Sequence, residues 1–417
     1  MLSGQLDTRS TPLGVVSQGS IAGRPFVDHA CGGSLEIVHS PPGARALVHL
    51  LARYREPNNA RGIFELLVTA VPFITIWALL CVAIDYDYWI SLLGVAPAAG
   101  LLVRIFMIQH DCGHGSFFHG RLANDWVGRV IGVVTLTPYD YWRHNHALHH
   151  ASSGNLDHRG FGDIDTLTVR EFLARPRWRQ ILYRLYRHPI VMFGVGPTYL
   201  FILRHRWPVG MTRGGWKPWL STMGTNAAIA ILVAVMIRLI GFGPFLLVHL
   251  PITVLAASIG VWLFYIQHQF EDTSWSHGEA WSFHEAALRG SSYYHLPNVL
   301  RWFTANIGVH HVHHLCSRIP CYRLPEVLRN HPELTGVGRI TLLQSLRCVR
   351  LTLWDEDGRR LISFGEAAAH DPRASGGVAR HGRRPPAGST RPGEMRSEAV
   401  AARPHASRPG SIRLSKP

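Results

Sequence analysis

At 417 residues, with 47% hydrophobic and only 17% charged side chains, the chain is too apolar for an ordinary soluble enzyme of its size and reads as a membrane protein. Its formal charge of +15 comes almost wholly from arginine, which fits nucleic acid, an anionic membrane surface or the inside-facing loops of a membrane protein. Cys31, Cys81, Cys112, Cys316, Cys321 and Cys348 form no CxxC pair or regular framework and read as reduced, and no cleavable signal opens the chain.

In chain order, residues 1–45 are rich in Gly, Ser and Pro and read as a flexible polar arm. Two apolar stretches follow, 66–84 and 90–109, each close to the roughly 20 residues a membrane span needs, joined by the short link "DYDYW". Residues 127–138 and 189–203 are apolar but too short, or too broken by Gly and Pro, to span, and are expected to lie at the interface or re-enter. A second pair of spans, 225–240 and 244–267, is linked by "GFG". Arg104 and Arg238 fall in or near these spans and are read as snorkelling or cavity-facing. The membrane domain is expected over 46–365, with a disordered basic tail over 366–417. Arginine is concentrated outside the hairpins, so the positive-inside rule puts both termini and residues 110–220 in the cytoplasm. The expectation is an all-α integral membrane protein of two transmembrane helical hairpins with a histidine-rich helical cap on the cytoplasmic side, and no role in binding nucleic acid.

Three histidine clusters sit on that cap. "HDCGH" places His110 and His114 at i and i+4 just past the second span, on one helical face. "HNHALHH" and "HHVHH" hold His146, His149, His150 and His310, His313, His314, each trio at i, i+3, i+4. His144 and His311 fall off those faces and are expected to be spectators or supporting groups. Each hairpin returns the chain to the side it left, so the clusters share a membrane side, and His268 at the end of the last span joins them. Isolated histidines, His249 within the last span and His119, His158, His277, His284 and His295 outside it, are expected to be structural.

Nine neutral imidazoles exceed what one tetrahedral zinc takes, so two metals fit the count, although imidazole suits Fe, Zn, Cu and Ni alike. Carboxylate-rich diiron bundles pair Glu-x-x-His motifs, and the one match, Glu36 with His39, lies in the polar arm. Asp111, Asp163, Asp165, Glu271, Asp272 and Asn306 lie near the clusters in sequence and are candidates to orient the rings, with helix capping or a solvated loop the commoner role for any one of them.

The pattern resembles the integral-membrane fatty acid desaturases, whose histidine boxes hold two irons, over roughly residues 45–360. "YWRHNHALHHASSGNLDHRGFGDIDTLTV" and "GSSYYHLPNVLRWFTANIGVHHVHHL" look like bacterial acyl-lipid desaturases of the omega-6 (delta-12) group. The resemblance implies that His110, His114, His146, His149, His150, His268, His310, His313 and His314 hold two non-haem irons. Phe264 stands where some acyl-CoA enzymes carry an asparagine, four residues before the ninth histidine. Removing two hydrogens from an unactivated methylene pair requires an oxidant made from O2 and two electrons, chemistry open to iron and closed to zinc. The implied reaction inserts a cis double bond into an acyl chain of a membrane glycerolipid, in the bacterial inner membrane with its active side facing the cytoplasm. No HPGG haem stretch, ferredoxin-like cysteine run or GxGxxG fingerprint is found, so a separate ferredoxin or similar donor is expected. A hydroxylase or ketolase on the same scaffold is the competing enzyme; a histidine-rich transporter would instead carry its ligands at mid-membrane depth.

Overall fold

A computed structural model describes residues 42–160 and 164–370, with side chains from residue 46 onward. Most of the expected polar arm and tail, with Cys31, Glu36, His39 and Asp163, lies outside the described residues. Among the described residues, four helical stretches are long and apolar enough to cross a membrane: Asn59–Ala83, Tyr88–Gly113, Trp216–Ile240 and Phe242–His268.

Helix α1 (Pro42–Leu51) leads to α2 (Asn59–Ala83), whose first turn is capped by the Asn58 side chain accepting from the Arg61 N–H. α2 exposes Ile63, Phe64, Leu67, Val71 and Ile74 while burying Gly62, Glu65, Thr69, Phe73 and Leu80. Beyond its first turn the helix thus turns Glu65 and Thr69 inward and an apolar stripe outward, the arrangement expected where the solvent is lipid. After a turn, α3 (Tyr88–Leu92), capped by Asp87, precedes α4 (Val95–Gly113). α4 is the centre of the molecule, packed against α2, the following α5 (Arg121–Val134) and the last span, with Ala98, Ala99, Leu102, Ile105 and Ile108 in the core.

Arg104 corrects one expectation. It neither snorkels nor faces a cavity: it is buried, ion-paired to Glu65, and its Nε donates to Thr69 Oγ1 at 3.0 Å. A charged side chain in a span is tolerated when its partners come from the next helix. Arg238, by contrast, is exposed near the far end of its span.

α5 covers most of the first expected interfacial segment and exposes Leu122, Trp126 and Val130 at a spacing of four, an apolar stripe suited to lie in the membrane surface. α6 (Tyr139–Ser152) carries the second histidine cluster; α7 (Val169–Ala174) and α8 (Arg177–Tyr186) follow. The other expected interfacial segment is helical, with α9 (Gly196–Thr198) set between two π turns, Val191–Val195 and Tyr199–Leu203. The second hairpin is α10 (Trp216–Ile240) and α11 (Phe242–His268). Beyond it come α12 (Phe283–Arg289), α13 (Asn298–Phe303), α14 (His310–Leu315), α15 (Leu324–Asn330), α16 (Leu342–Cys348) and α17 (Phe364–Ala369). α13 lies directly on α4, because a Cβ at Gly100 would come within 2.8 Å of the Phe303 ring.

Among the described residues, five short strands brace this cap. β1 (Leu167–Thr168) pairs in parallel with β4 (Leu353–Asp355), which pairs antiparallel with β5 (Arg360–Ile362); β2 (Tyr293–His295) pairs in parallel with β3 (Arg339–Thr341).

Candidate metal centre

Four elements deliver the histidines, each fixed by local packing. α4 runs one turn past its apolar stretch, carrying His110, and ends with His114 as its C-cap. α6 is docked beside it by Tyr139, whose hydroxyl donates to the Cys112 carbonyl at 2.8 Å. The Tyr139 ring occupies the space a side chain at residue 128 would need, with a Cβ there only 2.2 Å from it, so glycine is required. α14 is one and a half turns long and is tied to strand β2: Tyr294 N donates to Gly308 O at 2.7 Å and His311 N to Ser292 O at 3.3 Å. α11 ends on His268.

All nine expected histidines come together, in two groups. In the first, His110, His114, His146, His150 and His313 place one ring nitrogen each within 4.8 Å of the others; in the second, His149, His268, His310 and His314 do the same. The second and third clusters are each divided between the groups. In α6 the i and i+4 pair, His146 and His150, joins the first group while His149 goes to the second; in α14 the i and i+4 pair goes to the second and His313 to the first. The stacked rings of His150 and His314, 4.1 Å apart, stand between them.

The nitrogen spacing fits a shared cation. His146 Nε2 lies 3.0 Å from His114 Nε2 and 3.1 Å from His150 Nε2, which is itself 3.2 Å from His313 Nε2. An imidazole nitrogen is either a donor or an acceptor, so one hydrogen bond can account for one such contact but not for a chain of them. Ligands at right angles on an ion with a metal–nitrogen distance of about 2.1 Å are about 3.0 Å apart. His310 Nε2 and His268 Nε2 make a 3.1 Å contact of the same kind in the second group. His314 Nε2 is buried with no hydrogen-bond partner among the described residues, as a nitrogen reserved for a metal would be.

Burial, reinforced by repulsion between neighbouring rings, pushes His114, His146, His150, His310, His313 and His314 well below the ordinary histidine range. At neutral pH these rings are uncharged and their lone pairs are free for a metal. Supporting contacts fix several of them. Asp111 Oδ1 is 3.2 Å from His110 Nδ1, while its Oδ2 accepts the Cys321 N–H at 2.6 Å. His268 Nδ1 lies 3.1 Å from the Gly290 carbonyl, which leaves Nε2 to face the group. Trp142 stacks on His146 at 4.7 Å, and Phe264 packs 5.0 Å from His149.

Of the carboxylate and amide candidates, Asp111 alone touches one of the nine rings among the described residues. Asp165, Glu271 and Asp272 are exposed, and Asn306 Nδ2 donates to the Cys321 carbonyl at 3.0 Å. His144 and His311 belong to neither group; His311 is buried with Nε2 3.0 Å from the Leu334 carbonyl. His249 packs on Phe245, and His119, His158, His277, His284 and His295 also stand outside both groups. Trp142 and Tyr139 were missed in the sequence. Trp142 was findable, four residues before His146 and so on the same helical face, whereas the role of Tyr139 depends on a neighbouring helix.

The sequence profile of the fatty acid desaturase family matches residues 87–341. A Bacillus subtilis protein named fatty acid desaturase is 44% identical over 328 residues, covering 79% of this chain and 92% of that one. A Synechocystis sn-1 acyl-lipid omega-3 desaturase (ferredoxin) is 30% identical over 54% of this chain and 62% of its own length. An acyl-lipid omega-3 desaturase (cytochrome b5) of the Arabidopsis thaliana endoplasmic reticulum is 26% identical, over 66% of this chain and 74% of its own.

Proposed function

The chain belongs to the fatty acid desaturase family, and on that premise we propose that it is a membrane-bound non-haem diiron acyl-lipid desaturase. The observation that carries this reading is the gathering of nine buried or half-buried imidazoles into two groups where the two return spans end. His110, His114, His146, His150 and His313 would hold one iron, and His149, His268, His310 and His314 the other. Bound there, iron supplies the redox chemistry with O2 and two electrons that takes two hydrogens from an unactivated methylene pair.

The chain's own part is to keep the rings neutral, aim them and exclude water. Burial supplies the first; Asp111, the Gly290 carbonyl and Trp142 supply the second; the Phe264 ring against His149 contributes to the third. The electrons come from a separate ferredoxin-type carrier. Relatives named for ferredoxin and for cytochrome b5 support a small external donor, and the basic surface suits an acidic one.

The substrate is a monounsaturated acyl chain of a membrane glycerolipid, given a second cis double bond at the omega-6 (delta-12) position. The likeness of the segments around His146 and His310 to bacterial enzymes of that group supports this position, and the omega-3 names of several relatives support the competing one. Expression in a host fed a labelled monounsaturated fatty acid, followed by location of the double bonds in extracted phospholipids, tests it. A second double bond at omega-6 is expected. A bond elsewhere overturns the position alone, while a chain that gains one oxygen instead of losing two hydrogens makes the protein a hydroxylase.

The protein sits in the bacterial inner membrane with the histidine groups facing the cytoplasm, a reading supported by the arginine-rich segments on that side. A cysteine placed at Tyr86, in the exposed turn between α2 and α3, is expected to react with an impermeant thiol reagent on intact cells. One placed at the exposed Arg289 is expected to react only after lysis, and the reverse pattern inverts the topology.

A further inference from the structure

A cleft of about 690 Å³ opens where α2 begins, lined by Glu56, Asn58, Arg61, Tyr322, Arg323 and Arg329 among others. Two of its three arginines, Arg61 and Arg329, keep positive charge to offer. Arg61 Nε donates to Glu65 at 2.8 Å, but Glu65 is also paired with Arg104, so that trio keeps a net positive charge. Arg323 is spent on Glu326 at 3.1 and 3.3 Å and on the backbone carbonyl of Glu56 at 3.3 Å, so it shapes the wall rather than offering charge. Arg329 is exposed and makes no hydrogen bond or ion pair among the described residues. The one acidic wall residue, Glu56, points to His119 at 3.4 Å. Tyr322 anchors the wall, its hydroxyl accepting from Asn58 N at 2.8 Å.

Position decides what such a cleft is for. It lies at the end of α2 from which the apolar strip of Ile63, Phe64 and Leu67 starts, and the Arg61 guanidinium sits 5.3 Å from the Phe64 ring centre. Cationic side chains at the start of a lipid-facing strip are placed for the depth of phospholipid phosphates. The cleft is also wired to the metal centre, because Tyr322 follows Cys321, whose N–H is bonded to Asp111 beside His110. We propose that this cleft binds the phosphate ester of a glycerophospholipid headgroup and so docks the lipid whose acyl chain is to be modified. The proposal rests on the acyl-lipid reading above and names the group that the enzyme holds outside the membrane core. Arginine is suited to the task because its fork grips two phosphate oxygens at once.

The test uses the full chain, metal-loaded, in neutral maltoside micelles, with binding of dihexanoyl phosphatidylglycerol measured against dihexanoylglycerol and inorganic phosphate. Phosphatidylglycerol should bind and the phosphate-free lipid should not. Arg329→Glu should weaken binding by about tenfold or more, the loss of one charge-assisted contact, with Arg329→Lys recovering most of it and metal content unchanged. Arg61→Gln, in the first turn of α2, serves as the second variant. Equal binding of dihexanoylglycerol, or unchanged affinity in both Arg329→Glu and Arg61→Gln, overturns the site. Inorganic phosphate binding as tightly as the lipid overturns the headgroup assignment. The readout needs no turnover: retained headgroup binding in a chain that forms no double bond keeps the cleft and defeats the desaturase reading, and an active enzyme whose lipid binding ignores both variants does the opposite.

Discussion

The two histidine groups are made of the same ligand and draw on the same two helices, α6 and α14, yet they differ in number and in dryness. The first has five rings, three of them half-buried, and the second has four, all buried. Five donors leave a margin, since an ion that loses one still has four. Four buried donors leave little, and Phe264 places an apolar ring rather than a polar side chain against this group. On the proposed metal-binding role, the contrast sets redundancy in one group against enclosure in the other.

The comparison can be broken most directly by truncating one ring in each group. His314→Ala is expected to abolish desaturation and to lower bound iron by about one ion per chain, while His114→Ala also loses activity but keeps more of its metal. Iron per chain by elemental analysis decides, and equal losses would remove the distinction. Acid should act next most strongly. The depressed histidines of both groups stay neutral in the folded protein, whereas unfolded chains take up protons near the ordinary value of about 6.5. Stability from these rings is therefore full above about pH 6.5 and is lost progressively as pH falls below it toward the depressed folded values. Metal should leave in the same window. Thermal midpoints and metal retention measured from neutral into acid conditions should stay flat and then fall; a protein more stable in acid would contradict the burial argument.

A smaller effect sharpens the difference between the groups. Asp111→Asn keeps the size of the side chain but removes the charge beside His110, and should weaken metal binding in the five-membered group roughly 10–100-fold without touching the other. Competition with a graded chelator would resolve two sites, one shifted and one not. The smallest effect is expected at His311. It lies in α14 between His310 and His313 but is bonded to the Leu334 carbonyl, so His311→Ala should cost roughly 1–3 kcal/mol of stability and leave iron content intact. Iron loss matching that of His313→Ala would defeat the assignment of faces on this helix.

Much of this was legible in the sequence because it depends on local order. Apolar length marked the four spans, and helical spacing separated His313 from His311 and His146 from His144. The structure lengthens the spans at their polar ends, α2 starting at Asn59 and α10 at Trp216, since turns rich in polar or aromatic residues join a helix without raising its apolar count. What was not legible depends on which helix lies beside which. The division of each cluster between the two groups follows from α6 and α14 presenting their i+3 rings in opposite senses. Arg104 was misread because its partner Glu65 lies 39 residues away on the preceding span. The short strands behind α14 gave no signal, being two or three residues long.

That buried pair between Glu65 and Arg104 also constrains how the protein is made. A second span entering the bilayer alone would carry the bare Arg104 guanidinium, costing about 2.5–3.5 kcal/mol if it lay at the centre of an inserting helix, and the first span, where Glu65 already has Arg61 one turn away, supplies its partner carboxylate. Together they neutralise each other, with Thr69 and the Trp302 carbonyl completing the arginine's contacts. The ion pair thus favours pairing of the two spans in the bilayer, and it holds the helix that carries His110 against its neighbour.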